Sequence, residues 1–503
     1  MKRLTRRKVL KALAAGTAAL AAPSLALTGA RLGRAAGLNE ELRVAVIGLG
    51  GINTVGGVGG RGRQLIDSFR SVPGVRVAAL CDVDGTILDH EAAKFKDRHE
   101  GVAAYDDPRR VFDDKSIDAV AIAVPNHWHA LATIWACQAG KDVYVEKPFA
   151  HDIWEGRQMV AAARKYQRIV QVGTQRRSSA EVREVIEYVR SGAIGAMRCI
   201  HALVLRPREG IGKVAEPTPV PPTINYDLWC GPAAKEPLMR KQLHYDWHWL
   251  WSTGNGEIGN NGAHHIDVAR WVLGQEKPAP RAISIGGRFG FQDDGETANT
   301  QIAYFDYRPV PVICEIRNYR ATKGPNATGN LRGVTAGMVI DCEGGYVAGD
   351  FSGSKVFDKD GTKIKDIEGP KKLQELDNLH AANFVAAVRS RKPSDLNAEA
   401  RVGQVSAACC HMANLSHRLG KQTPPEVILE ATRANSEFSD AFERCGDYLR
   451  ENKIDLGETP AVLGPWLTLD ADSERFVGPF ADEANGLSRR EGRAPFVVPE
   501  IAD

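Results

Sequence analysis

Hydrophobic and polar positions follow a strand–helix–strand pattern in the first third of the chain. The apolar run Ala119 to Val124 is followed by Pro125-Asn126, a helical segment from Ala130 to Ala139 and a second apolar run from Asp142 to Val145. This order predicts a βαβ unit with parallel strands and a right-handed crossover. Ligands bind at the carboxyl ends of such strands, so we expect Glu146-Lys147-Pro148, directly after the second strand, to face a ligand.

A glycine-rich turn follows the first predicted strand, residues 42–47. Gly48-Leu49-Gly50 opens it, Asn53 stands where the third glycine of the usual fingerprint would be, and the segment Gly57 to Gly62 matches G-x-G-x-x-G on its own. Glycine lets the backbone approach a pyrophosphate, and a helix start directs amides at it. The candidate contacts are Gly48, Gly50, Gly60, Arg61 and Gly62. Which of these glycines touch phosphate stays open because of the insertion.

An acidic residue follows the second predicted strand, Val75 to Leu80. Asp82 lies roughly twenty residues beyond Gly62, the separation typical of a dinucleotide site. A carboxylate at this position accepts hydrogen bonds from the adenosine ribose and repels a 2′-phosphate. We therefore expect NAD, and NADP less.

From about residue 178 the pattern changes to β-type runs. They cover residues 197–205, 281–290, 297–307, 310–319, 337–342 and 345–351, and Asp358-Lys359-Asp360-Gly361 is a hairpin signal. The chain is therefore predicted to be α/β. It combines a Rossmann doubly wound parallel sheet in residues 38–176 with a second, α+β domain in residues 177–420 that contains a large, mostly antiparallel open sheet. Residues 421–503 are predicted to be a C-terminal extension without an assigned function, and an arm around a neighbouring subunit is one interpretation of it.

Composition and the amino terminus bound the class of protein. A net charge of +3 on 503 residues gives no indication of nucleic-acid binding. Nine cysteines without a C-x-x-C pair predict neither a disulfide framework nor a metal site. Residues 1–37, with Thr5-Arg6-Arg7-Lys8 before an alanine-rich run too short for a stable membrane span, resemble a twin-arginine signal. They predict the twin-arginine export machinery as a partner and a periplasmic or otherwise exported protein. A basic tail ahead of a helix is the alternative.

Several motifs in the expected order resemble the Gfo/Idh/MocA oxidoreductase family. These are Glu146-Lys147-Pro148, the Pro125-Asn126 turn with its histidines, the segment Gln171 to Arg177, and the segment Gly254 to Asp267. The last resembles the family pattern G-G-x-x-x-D-x-G-x-H-x-x-D, with Asn260 in place of the aspartate. An amide can orient a substrate hydroxyl but cannot act as a base.

The resemblance implies roles for individual residues. It makes Lys147 and His264 the proton-transfer residues and Glu146 a residue that orients Lys147 or the nicotinamide amide. Asn126 and His129 would line the nicotinamide side of the cofactor, Gln175 would contact it, and Arg176 would reach the substrate. A cap for the next helix is an equally good interpretation of His127, and a structural role is the alternative for His264.

An aromatic segment supplies the other predicted substrate contacts. Tyr245, Trp247 and His248 lie in His244–Trp251, and flat aromatic faces beside polar groups suit sugar rings. Packing or a dimer contact is the equally weighted alternative. Asn260, outside this segment, is the remaining predicted substrate contact and is expected to orient a substrate hydroxyl.

The resemblance implies an enzyme that transfers hydride between a tightly bound NAD and a ring hydroxyl or ketone of a sugar, cyclitol or glycoside. An NAD-dependent glycosidase that works by transient oxidation, elimination and re-reduction is the alternative, and a non-catalytic sugar sensor is a third hypothesis. Helices at 380–391 and 406–419 would pack back on the nucleotide domain. Relatives cover the apolar face of the open sheet by pairing subunits, so a homodimer or homotetramer is expected.

Overall fold

The computed structural model describes residues 41–51, 60–322, 324 and 327–502, which lie in one compact unit. The predicted leader, residues 1–37, and the part of the glycine-rich insertion from Gly57 to Gly59 lie outside the described residues. No described helix is long and apolar enough to cross a bilayer.

Among the described residues, six strands form a wholly parallel sheet in the order β3-β2-β1-β4-β5-β6. They are β1 Leu42–Ile47, β2 Val75–Cys81, β3 Ala103–Tyr105, β4 Ala119–Ile122, β5 Asp142–Val145 and β6 Val170–Val172. The connecting helices are α1 Arg61–Arg70, α2 Gly85–Asp97, α3 Pro108–Asp113, α4 His129–Gln138 and α5 Ile153–Lys165. Strands β4 and β5 are buried along their whole length, as continuous apolar runs predict. The strand order is that of a doubly wound fold whose ligand crevice lies where the order reverses, beside β1 and β4.

The second sheet has twelve strands among the described residues. Its main path is β14-β13-β12-β11-β7-β10-β9-β8-β16-β15, and β17 pairs with both β8 and β18. All its pairs are antiparallel except β7 with β10. The fold class predicted from the sequence is therefore confirmed.

The elements of this second region follow in chain order. They are α6 Ala180–Arg190, β7 Met197–Val204, α7 Tyr226–Cys230, a π-helical turn Ile258–Gly262, α8 Ala263–Leu273, β8 Arg281–Gly287, β9 Thr300–Phe305, β10 Val312–Arg317, β11 Ala336–Cys342, β12 Gly345–Gly349, β13 Gly353–Asp358, β14 Lys363–Glu368, α9 Leu373–Ser390, α10 Ala400–Arg418, β15 Lys421–Thr423, α11 Pro425–Thr432, α12 Ser436–Glu451, β16 Ala461–Leu463, β17 Leu467–Asp470, β18 Arg475–Val477 and α13 Ala481–Leu487.

Helices α9 and α10 connect the two sheets. On α9, Phe384 meets Phe69 of α1 edge-on, with the ring centroids 5.9 Å apart, so α9 packs on the nucleotide domain. On α10, Gln404 donates to the carbonyl of Ile153 at 3.0 Å and Ser406 donates to Asp267 at 2.7 Å. Both helices begin earlier than the residues predicted for them, at Leu373 rather than residue 380 and at Ala400 rather than residue 406.

The segment after α10 is part of the second domain rather than an extension beyond it. Its strands β15 to β18 continue the large sheet, and α12 packs on the outer sheet face. There Phe438 meets Tyr304 of β9 with the ring centroids 5.1 Å apart, and Phe442 and Leu449 join the same apolar cluster. This helix covers part of the face for which the sequence predicted a second subunit, so the argument for a dimer through that part of the sheet no longer applies.

Candidate active site

A cleft of about 1010 Å³ lies between the carboxyl edge of the parallel sheet and the second domain. Most of the residues predicted from the sequence line it: Gly48, Gly50, Gly60, Arg61, Asp82, Asn126, His129, Glu146, Lys147, Gln175, Tyr245, Trp247, His248, Asn260 and His264. Gly62 and Arg176 are not part of the lining. The structure therefore brings the predicted cofactor and substrate residues to one cavity.

The glycine turn has the backbone shape that a dinucleotide site requires. Gly48 and Gly50 have φ of +83° and +82°, which residues with a Cβ rarely adopt. A Cβ on Gly62 would lie 1.9 Å from the carbonyl oxygen of Gly48. Gly62 thus lets α1 begin directly against the turn, and its role is close packing rather than contact with the ligand.

Asp82 follows β2 and faces the same turn. Its carboxylate accepts the amide of Leu49 at 2.7 Å and the amide of Asp84 at 3.0 Å. Burial raises the pKa of this carboxyl, against the effect of the two amides. Each oxygen keeps a lone pair free of these bonds, so the carboxylate can still accept a ribose hydroxyl.

An ion-pair network crosses the cleft between α1, β5 and α9. Arg61 donates to Glu146 at 2.7 Å and to the two oxygens of Asp377 at 2.9 Å. Gln175 donates to the same Glu146 at 3.2 Å. Glu146 is 5% exposed, and the guanidinium and the amide compensate its buried charge. Sequence patterns could not identify Asp377, which lies far along the chain on α9.

Lys147 extends from the end of β5 into the cleft. Its ammonium donates to the side-chain oxygen of Asn260 at 2.9 Å and to the backbone carbonyl of Asn260 at 3.1 Å. Burial lowers the pKa of Lys147, while the negative charges of Glu146 and Glu257 act in the opposite direction. A lysine with a lowered pKa between two acceptors can release and take up a proton nearer to neutral pH than a free lysine can.

Asn260 lies on the π-helical turn before α8, and π-helical turns are frequent at functional sites. Its amide nitrogen donates to Glu257 at 3.3 Å. Glu257 in turn accepts from Arg208 at 2.8 Å and from Asn261 at 2.5 Å. Neither Glu257 nor Arg208 was predicted from the sequence. The acidic residue within the glycine-rich segment Gly254 to Gly262 was the available signal.

His264 is the second residue of α8 and lines the same cleft as Lys147. Burial lowers the pKa of His264 well below its ordinary value, and the positive charge of Lys147 adds to this effect. Its Nδ1 is buried without a hydrogen-bond partner among the described residues. His264 is thus a neutral imidazole that lines the cleft, with Nδ1 enclosed by the protein. The adjacent His265 packs edge-on against Phe351 with the ring centroids 5.5 Å apart.

The aromatic segment forms one wall of the cleft. Trp247 and His248 stack with their ring centroids 3.6 Å apart, and Trp247 donates its indole N–H to the carbonyl of His244 at 3.1 Å. Burial lowers the pKa of His248 to about 4. The Tyr245 hydroxyl accepts from Arg208 at 3.2 Å. This wall combines flat apolar faces with neutral polar edges.

The histidines after Pro125 are held by backbone. His129 lies on the cleft, but its ring nitrogens contact the carbonyls of Pro148 at 2.7 Å and Val124 at 2.9 Å. His127 is fully buried outside the cleft lining, with Nε2 3.0 Å from the carbonyl of Trp229. Asn126 lines the cleft and donates to Asn255 at 2.9 Å. Both ring nitrogens of His129 are therefore engaged by backbone carbonyls and His127 lies behind the site, whereas the Asn126 amide keeps its oxygen and one N–H for a ligand.

Arg176 was predicted to bind substrate, and the structure places it elsewhere. Its guanidinium donates to Glu181 at 3.2 Å and to the carbonyl of Asp350 at 3.1 Å, and the residue is 3% exposed. The buried carboxylate of Glu181 directs the side chain away from the cleft. Arg176 reaches the site only indirectly, because it lies over the ring of Phe351, which is part of the lining.

Outside the cleft, His151, Asp152 and Glu155 have donor atoms within 4.8 Å of one another. Asp152 caps α5 by accepting the Glu155 amide at 2.8 Å, and Arg490 donates to the Glu155 carboxylate at 2.6 Å. The guanidinium already provides the positive charge that a bound cation would bring. The prediction of a site without metal stays a prediction.

The fold and the cleft define a dinucleotide-binding protein with a lysine after the carboxyl end of β5. Residues 42–174 match the sequence model of the Gfo/Idh/MocA oxidoreductase family for its NAD-binding Rossmann fold. Residues 209–318 match the model for the C-terminal alpha/beta domain of that family. The chain belongs to the Gfo/Idh/MocA oxidoreductase family. The predicted family and the NAD-binding domain are confirmed.

Individual relatives match part of the chain. Inositol 2-dehydrogenase 2 of Saccharopolyspora erythraea is 29% identical over 225 residues, 44% of this chain and 54% of that protein. A glycosyl hydrolase family 109 protein of Solibacter usitatus is 32% identical over 154 residues, 29% of this chain and 35% of that protein. The chain thus spans about half or less of these curated relatives.

A solved structure shows the same fold. The WlbA dehydrogenase of Bordetella pertussis, in complex with NADH and UDP-GlcNAcA, superposes with a TM-score of 0.54 at 18% identity. The superposition covers 75% of this chain and 97% of that one. At this identity the likeness concerns the fold alone.

Proposed function

We propose that this protein is an NAD-dependent oxidoreductase that acts on a ring hydroxyl or ketone of a sugar, cyclitol or glycoside. The observation that carries the proposal is the position of Lys147, which lies in the cleft lined by the glycine turn and Asp82 and donates to Asn260 at 2.9 Å. Bound NAD would supply the hydride acceptor and donor in this cleft.

The cofactor half of the cleft fits a dinucleotide. Gly48, Gly50 and the start of α1 line the cleft, where a helix start suits a pyrophosphate, and Asp82 has free acceptor capacity for a ribose. The carboxylate of Asp82 also favours NAD over NADP by repelling a 2′-phosphate. Gln175 and Glu146 also line the cleft, and Gln175 donates to Glu146 at 3.2 Å.

The substrate half has groups suited to a neutral polyol. Lys147 takes the hydroxyl proton when the alcohol is oxidised and returns it when the ketone is reduced. His264, which is neutral and lines the cleft, binds the same or the neighbouring hydroxyl. Asn260 fixes the position of the Lys147 ammonium, and the stacked Trp247 and His248 offer a face to the C–H side of a ring.

One arginine at the substrate half is already compensated. Arg208 is paired with Glu257 at 2.8 Å, so it does not present a free cation to the ligand. This favours a hydroxylated ring over a strongly anionic group at that point. A relative named as an inositol dehydrogenase is consistent with this class.

The test uses the purified protein, NAD and a panel of sugars, cyclitols and glycosides. We expect one NAD per chain by calorimetry and formation of reduced cofactor, read by absorbance, with at least one member of the panel. Absence of NAD binding by a folded protein would refute the proposal.

A second candidate is an NAD-dependent glycosidase that makes no net redox change. The similarity to the glycosyl hydrolase family 109 protein favours it. In this case the retained cofactor is restored in each cycle, which suits a protein that works where NAD is scarce. Release of nitrophenol from nitrophenyl glycosides without added acceptor would support the glycosidase. Accumulation of reduced cofactor without phenol release would support the dehydrogenase.

The proposal includes export and self-association. The Thr5 to Lys11 segment supports export by the twin-arginine route, and a fusion of residues 1–37 to a reporter tests it in cells with and without that machinery. A homodimer or homotetramer stays a proposal that light scattering tests.

A further inference from the structure

Lys147 has an unusual neighbour for a proton-transfer lysine. The group in direct contact with its ammonium is the neutral amide of Asn260, at 2.9 Å, and not a carboxylate. A neutral acceptor stabilises the charged lysine less than a carboxylate does. On this side of Lys147 the nearest negative charge belongs to Glu257, whose carboxylate accepts from the nitrogen of the same Asn260 amide.

Glu257 is fully buried and bonded on both oxygens. Its Oε2 accepts from the amide nitrogen of Asn260 at 3.3 Å, and its Oε1 accepts from Arg208 at 2.8 Å and Asn261 at 2.5 Å. Burial alone would raise the pKa of Glu257, but the charge and hydrogen bond of Arg208 and the two amides hold it below its ordinary value. At neutral pH the group is therefore a carboxylate, which can only accept hydrogen bonds.

These contacts leave one orientation for the Asn260 side chain. A carboxylate can only accept, so it takes the amide NH₂, and an ammonium can only donate, so it takes the amide oxygen. A flipped amide would place oxygen against carboxylate and NH₂ against ammonium. Both contacts would be repulsive, and both are buried or part-buried.

We propose that Glu257 is a positioning residue for Lys147, whose carboxylate fixes the Asn260 amide with its oxygen toward the ammonium and provides the negative charge that this amide lacks. The inference rests on the proposed function, since it assigns Lys147 to proton transfer. Glu257 is not part of the cleft lining and acts through Asn260.

Other charged and titratable groups also face Lys147. They are Glu146 beside it in sequence, Arg61 from α1, Arg208 from the segment after β7, and the buried histidines His129, His248 and His264. Glu146 and Glu257 favour the charged lysine, whereas Arg61 and Arg208 disfavour it. Replacing Glu257 with glutamine therefore removes one of two favourable charges and leaves Arg208 without its partner.

Loss of the Glu257 carboxylate lowers the pKa of Lys147. Without this negative charge the ammonium form is less stable, so the free amine appears at lower pH. We expect Glu257→Gln to lower the titration midpoint of Lys147 by about one pH unit, the effect typical of one nearby charge. Glu257→Asp restores the charge and the acceptor and should return most of that shift.

The experiment measures the reactivity of Lys147 without any substrate. Trace acetylation of the full chain with acetic anhydride across pH, read by peptide mass spectrometry, gives the midpoint. Glu181→Gln is the matched control, because Glu181 is also a buried carboxylate paired with an arginine, Arg176 at 3.2 Å, but outside the cleft lining. Thermal unfolding of each variant reports the structural damage.

A lower midpoint in Glu257→Gln, a return in Glu257→Asp and no change in Glu181→Gln would support the inference. An unchanged midpoint in Glu257→Gln, or an equal shift in Glu181→Gln, would overturn it. Because labelling needs no substrate, a shift without turnover on the carbohydrate panel would refute the proposed function and leave the role of Glu257 in place. Where turnover exists, its acid limb should move to lower pH in Glu257→Gln.

Discussion

Gly62→Ala tests whether the glycine turn and α1 form the dinucleotide site. The new Cβ would lie 1.9 Å from the carbonyl oxygen of Gly48 and 2.9 Å from the Cα of Leu49. To restore an ordinary contact distance between these atoms, the start of α1 and the turn must move apart by about 1.5 Å. The obstructing atoms are backbone, so no side-chain rotation can remove the clash.

Neither partner can move freely. The Gly48 amide donates to the carbonyl of Cys81 at 2.8 Å, and the Leu49 amide donates to Asp82 at 2.7 Å. On the helix, Phe69 is fully buried in the core beneath the sheet. We expect a loss of about 2–3 kcal/mol in the free energy of unfolding, as for an overpacked core. We also expect NAD binding to weaken by about ten- to a hundredfold, or about 1.4–2.7 kcal/mol.

The assays are denaturant unfolding and calorimetric titration with NAD. Gly446→Ala is the control, because its Cβ would meet only Leu456 at 3.9 Å and alanine suits the interior of α12. Should Gly62→Ala unfold, Gly50→Ala is the second variant, since its φ of +82° strains alanine by about 1–2 kcal/mol. A folded Gly62→Ala protein that binds NAD within about twofold of the wild-type affinity would refute the assignment of this turn.

Further predictions concern cofactor choice, acid stability and the C-terminal segment. Asp82→Ser removes the carboxylate that repels a 2′-phosphate, so the ratio of NADP to NAD affinity should rise by about tenfold in calorimetry, and an unchanged ratio would contradict the role of Asp82. Burial lowers the pKa of His411 to about 4. Between the ordinary histidine pKa and about pH 4 the folded protein therefore binds fewer protons than the unfolded chain, and its free energy of unfolding falls as the pH decreases. His411→Gln should reduce this slope in denaturant unfolding by at most about 1.4 kcal/mol per pH unit, and an equal slope would refute the reasoning. Arg490→Met leaves the buried Glu155 without the guanidinium at 2.6 Å and should lower the free energy of unfolding by about 3 kcal/mol, which Arg490→Met combined with Glu155→Gln should partly restore.

The parallel sheet was predictable because its signals are local. The strands are short apolar runs, the turn after β1 is marked by glycine, and the crossover has a fixed hand. From these facts the carboxyl ends of β1, β2 and β5 must lie at one edge, which is why Asp82 and Lys147 line a single cleft. The positions of Lys147 and Asp82 at this edge could therefore be predicted without knowledge of tertiary contacts.

The parts that were missed depend on contacts between distant segments. Asp377 meets Arg61 across 316 positions, and Arg208 meets Glu257 across 49. The strands β15 to β18 have three or four residues each, too short for a periodic pattern, and β16 is fixed by pairing with β8. The family resemblance assigned Arg176 to the substrate, but the carboxylate of Glu181 directs its side chain elsewhere.

The most direct test of the account is the effect of Lys147→Met on reduction of bound NAD by a responsive carbohydrate. The account predicts unchanged NAD affinity and a rate of hydride transfer lower by about a hundred- to ten-thousandfold, the contribution of a positioned general base. Lys141→Met, which removes a buried lysine at the opposite end of β5 with bonds of 2.6 and 2.8 Å to backbone carbonyls, should lower stability and leave the rate of the folded protein near wild type. A rate for Lys147→Met within about threefold of the wild-type rate would contradict the central claim that this lysine transfers the proton.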